Sequence, residues 1–163
     1  MTPYRQFLEE EVPRLLPQLA ADTQPHWGKM QPQHMIEHVS ALFYLAYSQK
    51  VNACFTPADK LPKARAFLFN DDKHFRPHTA GPGLPKEPGP FRFADLDEAK
   101  DKLLDSMKKF FAFFDADPER EVMHPVFGPL NQEGWERFQH KHLSHHFRQF
   151  GLLPLLPGHE SMI

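Results

Sequence analysis

The chain has one cysteine, Cys54, in 163 residues. An internal disulfide is excluded, so no covalent staple holds the fold. No apolar run approaches the about 18 residues needed to span a bilayer. The opening stretch, MTPYRQFLEEEV, lacks the apolar segment of a signal peptide. An excess of charge of one sign is also missing. The net charge is −2 with histidines neutral, which leaves no electrostatic footprint for nucleic acid or acidic lipid. Nor is there a strand pattern of useful length or an internal repeat. The expectation is one domain over residues 1–163, cytoplasmic, with no membrane or nucleic-acid partner and room for a genuine core. What is plentiful is histidine, eleven residues, and proline, seventeen.

The histidines concentrate in NQEGWERFQHKHLSHHFRQFG, residues 131–151, which reads as the last helix of the chain. At about 100° per residue, Trp135, Phe138, His142, His146, Gln149 and Phe150 share one arc. Arg137, His140, Lys141, Ser144 and Arg148 fall opposite and are expected to face water, with His145 on the boundary. His142 and His146, four apart, stack about 6 Å apart along the axis. Two imidazoles so placed can grip one metal ion, but they need a third ligand. The plain alternative is that histidines near a helix C-terminus only complement the macrodipole.

Taken in order, Thr2 caps a first helix, A (2–22), with Pro3 at its first position. Pro13 and Pro17 predict a kink or break near Pro13. Gln31 and Pro32 open helix B (31–49). Its arc of Met35, His38, Ala41, Leu42, Leu45 and Ala46 is apolar apart from the histidine, and Glu37, Ser40, Tyr44 and Tyr47 make the polar side. A buried imidazole needs a partner, and His38 is thereby the candidate third ligand. Thr56-Pro-Ala-Asp59 caps a short helix to about Asn70. Residues 71–92 are proline- and glycine-rich without periodicity, an extended crossover in which His74 and His78 are loop residues, not ligands. Asp95 and Glu98 form a capping box for helix C (95–114). His124-Pro-Val-Phe-Gly-Pro129 is a turn delivering the chain to helix D (131–150), which Asn131 caps and Gly151 ends. The expected fold is all-α, a four-helix bundle with a long B–C crossover, in which B and D bring His38, His142 and His146 together.

Trp27-Gly-Lys-Met30, Met35-Ile-Glu-His38, His124-Pro-x-Phe-Gly128, and Trp135 through His142-x-x-His-His-x-Arg-Gln-Phe-Gly151 resemble the DinB/YfiT-like superfamily. The resemblance covers about residues 25–152, and points to an uncharacterised branch sharing the Trp-Gly-Lys-Met and Arg-Gln-Phe-Gly signatures. It implies a DinB-like four-helix bundle and a divalent metal, commonly zinc or nickel, on His38, His142 and His146. It also implies a metal-dependent hydrolase or a transferase using a low-molecular-weight thiol, acting on a small molecule, and dimerisation is common among such relatives.

Three neutral imidazoles leave a coordination position open, the catalytic arrangement. Water or a thiol there would be activated, and imidazoles suit zinc, nickel and iron alike. His34, His145 and Gln149 are candidates for the surrounding groups that orient ligands or substrate. Two other readings compete. His34-Met-Ile-Glu-His38 fits the inverted zincin motif, a peptidase with Glu37 as base. The other is a non-catalytic, metal-free bundle with packed histidines.

Overall fold

Proline dictates how the chain begins in the computed structural model, which describes residues 1–163. The Thr2 hydroxyl caps α1 (Pro3–Gln6) by accepting from the Arg5 N–H at 3.1 Å. A π-turn over Phe7–Glu11 leads to α2 (Val12–Leu15) and a 3-10 turn over Leu16–Gln18. Pro13 lacks an N–H and its ring would strike the carbonyl four residues back. The wider turn, closed by the Val12 N–H on the Phe7 carbonyl, carries the chain past it. Pro17 tightens the last turn, so the expected helix to residue 22 stops at Gln18.

Helix α3 (Pro32–Ser48) opens with Gln31 and His34 capping each other's backbone. It ends at Gln49 in the left-handed region, φ 55°. Its buried stripe packs along α5 (Leu96–Asp115), where Asp95 caps by accepting from the Glu98 N–H at 2.8 Å. Leu96, Ala99, Leu103, Met107, Phe110 and Phe114 of α5 are all buried. Phe43 meets Phe110 edge-on at 5.2 Å between ring centres. This packing also buries Glu37 and Ser40, which the wheel of helix B had put on a polar side. Between these helices lies the short α4 (Leu61–Leu68), and no regular element follows it until α5.

The link after α5 is a hairpin and not a plain turn. Strands β1 (Val122–His124) and β2 (Gly128–Leu130) pair antiparallel, with Val122 opposite Leu130 and His124 opposite Gly128. The His124 ring closes the loop, its Nδ1 accepting from the N–H groups of Val126 at 3.0 Å and Phe127 at 3.2 Å.

The all-α four-helix bundle with a long B–C crossover is therefore overturned. The first helix is broken into short pieces, the short helix expected before Asn70 stands as α4 beside the four, and a two-stranded sheet stands where the link between helices C and D was expected. The last helix, α6 (Gln132–Gln149), packs against the N-terminal turns, α3, α4 and β2. Neighbours on so many sides change its outer arc as well. Lys141 and Ser144, expected in water, are buried, and Arg137, His140 and Arg148 are half-buried. Tyr4 and Phe7 meet His140 edge-on, at 5.5 and 4.8 Å. No helix is long and apolar enough to cross a membrane.

Candidate metal centre

Asn131 fixes the start of α6 by accepting from the Gly134 N–H at 3.1 Å, and helical register then sets His142 and His146 one turn apart. Their Nε2 atoms lie 3.1 Å from each other. From α3, His38 brings its Nε2 to 3.0 Å from that of His142. The ligand atoms of all three lie within 4.8 Å of one another. For metal–nitrogen bonds of roughly 2.0–2.1 Å, the edge of a coordination tetrahedron is about 3.3 Å. The two direct contacts are close to that, the His38–His146 pair is not in direct contact, and three neutral imidazoles are a donor set that suits a divalent cation.

Gln149 decides which nitrogen of His146 carries the proton. Its amide nitrogen donates to the Trp27 carbonyl at 2.9 Å, so its amide oxygen faces His146 Nδ1, at 2.7 Å. Nδ1 must then be the N–H, and Nε2 presents a lone pair to His142. Gly28 makes the approach possible. It sits at φ +83°, and a Cβ there would stand 2.9 Å from the Gln149 amide nitrogen.

Aromatic rings wall the site. Phe138 stacks on His142 at 5.1 Å with only 16° between planes, and Phe75 stands edge-on to His142 at 6.3 Å. Burial, with neighbouring imidazoles adding to it, holds His142 well below the ordinary histidine range, and burial does the same first for His146. Burial pushes His38 down to about 4. All three are neutral at pH 7, as ligation requires. His142 Nδ1 is buried with no partner.

The remaining histidines are sorted by their partners. His145 stays outside the donor cluster, between Trp27 at 5.3 Å and Phe75 at 5.7 Å, with its ring 5.0 Å from that of His146. His34 has both nitrogens engaged. Nδ1 accepts from the Gln31 N–H at 3.0 Å, so Nε2 donates to the Gly89 carbonyl at 2.9 Å. Glu37 is occupied too, accepting from Gln33 at 2.9 Å and from the Arg92 N–H at 2.7 Å. The pair that an inverted zincin would use is thus tied up in holding the crossover against α3. His74 and His78 lie away from the centre, His74 half-buried and His78 exposed at φ 63°.

Sequence reasoning treated His124 as a turn residue and had no place for Phe75. His124 is 2 % exposed and packs on Phe138 at 4.2 Å between ring centres, beneath the ring that stacks on His142. Its hairpin role has a pH signature. Burial pushes it down to about 3, whereas an unfolded chain has it near 6.5. The unfolded state then binds more protons below about pH 6.5, so stability falls with acidification and the loss is complete only below the folded value. At about pH 5.5, His124 alone should remove about 1.4 kcal/mol. His140, lowered to about 4 chiefly by burial, adds to the loss in the same direction. The urea midpoint of chelator-treated protein should drop between pH 7.5 and 5.5, and an unchanged midpoint would contradict this account.

Among known proteins, no curated sequence and no solved structure matches the chain. A family model described as "Protein of unknown function (DUF1569)" matches residues 46–151. That span includes His142, His146 and Gln149, while His38 and Trp27 precede it. With about two thirds of its length in that match, the chain belongs to the DUF1569 family.

Proposed function

We propose that His38, His142 and His146 hold one divalent metal ion, and that the protein is a metal-dependent enzyme acting on a small molecule. The reaction is either a hydrolysis or the transfer of a group to a low-molecular-weight thiol. Zinc or nickel are the leading ions, with iron also compatible with imidazole ligands. The resemblance to the DinB/YfiT-like superfamily would place its metal on the same three histidines, which supports the reading.

The observation that carries it is the approach of two Nε2 atoms, those of His38 and His146, to the Nε2 of His142. Gln149 leaves a lone pair on His146 Nε2. His142 Nε2 must then carry a proton for its 3.1 Å contact with His146 to attract. That one proton cannot also point along the 3.0 Å contact with His38. Both contacts cannot be good hydrogen bonds together, whereas a central cation satisfies three lone pairs.

When bound there, a divalent ion supplies Lewis-acid activation of water or of a thiol at the position the three ligands leave open. The chain's own part is orientation and exclusion of solvent. Gln149 keeps the proton on His146 Nδ1, and Phe138 and Phe75 flank His142 and keep water from its faces. His145, lowered to about 4 chiefly by burial, presents a neutral imidazole beside the centre.

Metal analysis of protein loaded and then desalted is the direct test. About one ion per chain is expected, and occupancy well below that after loading with zinc, nickel and iron in turn would overturn the proposal. Screening the loaded protein with ester and amide substrates, and separately with thiols and electrophiles, distinguishes the two reactions. Gln149→Leu sharpens the case. Losing the acceptor for His146 Nδ1 should weaken metal binding about 10–100-fold with the circular dichroism unchanged. Equal affinity in this variant would show that the amide does not set the tautomer.

A further inference from the structure

The side of α6 turned away from the three histidines is covered by α1, the end of α4 and the segment that follows it, and the cover is incomplete. A cavity of about 40 Å³ remains, lined among others by Asp71, His74, His140, Lys141, Ser144 and Arg148. At roughly 10–15 Å³ per water, that is space for about three waters, or for the oxygens of one compact oxyanion.

Its charges do not balance. Asp71 is already engaged, accepting from the Tyr4 hydroxyl at 2.8 Å and from Arg137 at 3.1 Å, so it offsets Arg137. The Lys141 ammonium donates to the carbonyls of Asn70 and Lys73, and no carboxylate bonds to it directly. Arg148 is half-buried, and its guanidinium makes no hydrogen bond or ion pair to any group of the chain. His74 is lowered by burial first, with the positive charges of Arg148 and Lys141 adding to it. Counted over the lining residues, Asp71 against Arg137, Lys141 and Arg148, the wall carries an excess of two positive charges, and the half-buried Arg148 guanidinium meets no protein group.

We propose that this cavity is an anion site for a phosphate-type oxyanion, either free phosphate or the tip of a phosphomonoester. A doubly charged anion matches the excess of two. Tetrahedral oxygens can also meet donors from several directions at once: the planar guanidinium of Arg148, the ammonium of Lys141 and the hydroxyl of Ser144. A halide would leave one charge uncancelled and use fewer of these donors.

The test uses chelator-treated full-length protein, so that no metal competes for the anion. It is titrated with inorganic phosphate at constant ionic strength, and followed by phosphorus NMR and calorimetry. Saturable binding of one phosphate per chain is expected. Arg148→Gln should weaken it at least about tenfold, as loss of a charge-assisted hydrogen bond does. The Arg148 side chain makes no bond in the fold, so the variant should keep its near-ultraviolet dichroism. Arg148→Lys, retaining charge without the planar fork, should fall between. Lys108→Gln removes the same charge from an exposed position on α5 and should change nothing. His142→Ala should bind phosphate as the native chain does, which separates this site from the metal centre. Methyl phosphate binding as tightly as phosphate assigns the cavity to a monoester, and its exclusion assigns it to the free ion. Absence of saturable binding, equal loss in Lys108→Gln, or loss in His142→Ala would each overturn the proposal.

Discussion

A His142→Ala chain should emerge from metal loading with essentially no bound ion while keeping its fold. His142 is the middle member of the centre, since its Nε2 is the atom that both His38 and His146 approach, at 3.0 and 3.1 Å. Structural zinc sites bind with roughly 10–16 kcal/mol shared among four ligands, about 3 kcal/mol for each. Loss of one ligand is then at least about 100-fold in affinity, and more here because the two survivors are the pair not in direct contact. Folding should tolerate the change. The imidazole has a buried Nδ1 with no partner, so its removal ends one unsatisfied group while it opens a small gap beneath Phe138. His140→Ala should leave metal content as it is, since that ring packs on Tyr4 and Phe7 and not in the centre. His34→Ala should do the same, both its nitrogens serving backbone groups. Full occupancy in His142→Ala, or loss in His34→Ala, would remove the three-histidine centre from consideration.

The parts of this site that could be read from sequence are those fixed by helical period. His142 and His146 share a face because they are one turn apart, and the Asn131 and Asp95 caps mark where α6 and α5 begin. The supporting contacts were not legible. The Gln149–Trp27 hydrogen bond joins residues far apart in the chain, and no local pattern reports it. The hairpin was hidden for another reason. Its strands have three residues each, one carries Pro129, and the loop is closed by the His124 side chain and not by a turn pair of the asparagine–glycine kind. Alternation cannot register over so short a length.

The wheel misjudged exposure where both faces of a helix are covered. On α6 the period puts Lys141 and Ser144 opposite the histidine arc and hence in water. Yet the Lys141 stem is buried and its ammonium is satisfied by two loop carbonyls, as long cationic side chains allow. On α3 it put Glu37 and Ser40 outside, where the crossover and α5 cover them. Glu37 accepts backbone N–H groups from the crossover, and Ser40 lies 3.4 Å from Ser106. Polarity predicts exposure only when no other segment brings partners.

The largest loss of stability is expected at Trp135. Its side chain is fully buried, and its indole N–H donates to the Val122 carbonyl at 3.1 Å, tying β1 to α6. Its ring lies 4.9 Å from His124 and 6.0 Å from Phe138, the residue that stacks on His142. Trp135→Ala should cost about 3–5 kcal/mol for the cavity, and roughly 0.5–1.5 kcal/mol more for the lost hydrogen bond to the Val122 carbonyl. Against a total stability of about 5–15 kcal/mol, that removes a large fraction of what keeps the chain folded. Trp135→Phe fills part of the space but cannot donate, so its urea midpoint should lie between those of the native and alanine chains. A bound ion should restore part of the loss. Metal at about 100 times its dissociation constant adds about 2.7 kcal/mol to any folded chain that binds it. Trp135→Ala should therefore gain stability on metal addition, while the double variant with His142→Ala should not. Rescue of both by the same amount would place the stabilising ion elsewhere on the protein, and a native-like midpoint for Trp135→Ala would mean that the hairpin is not anchored through this side chain.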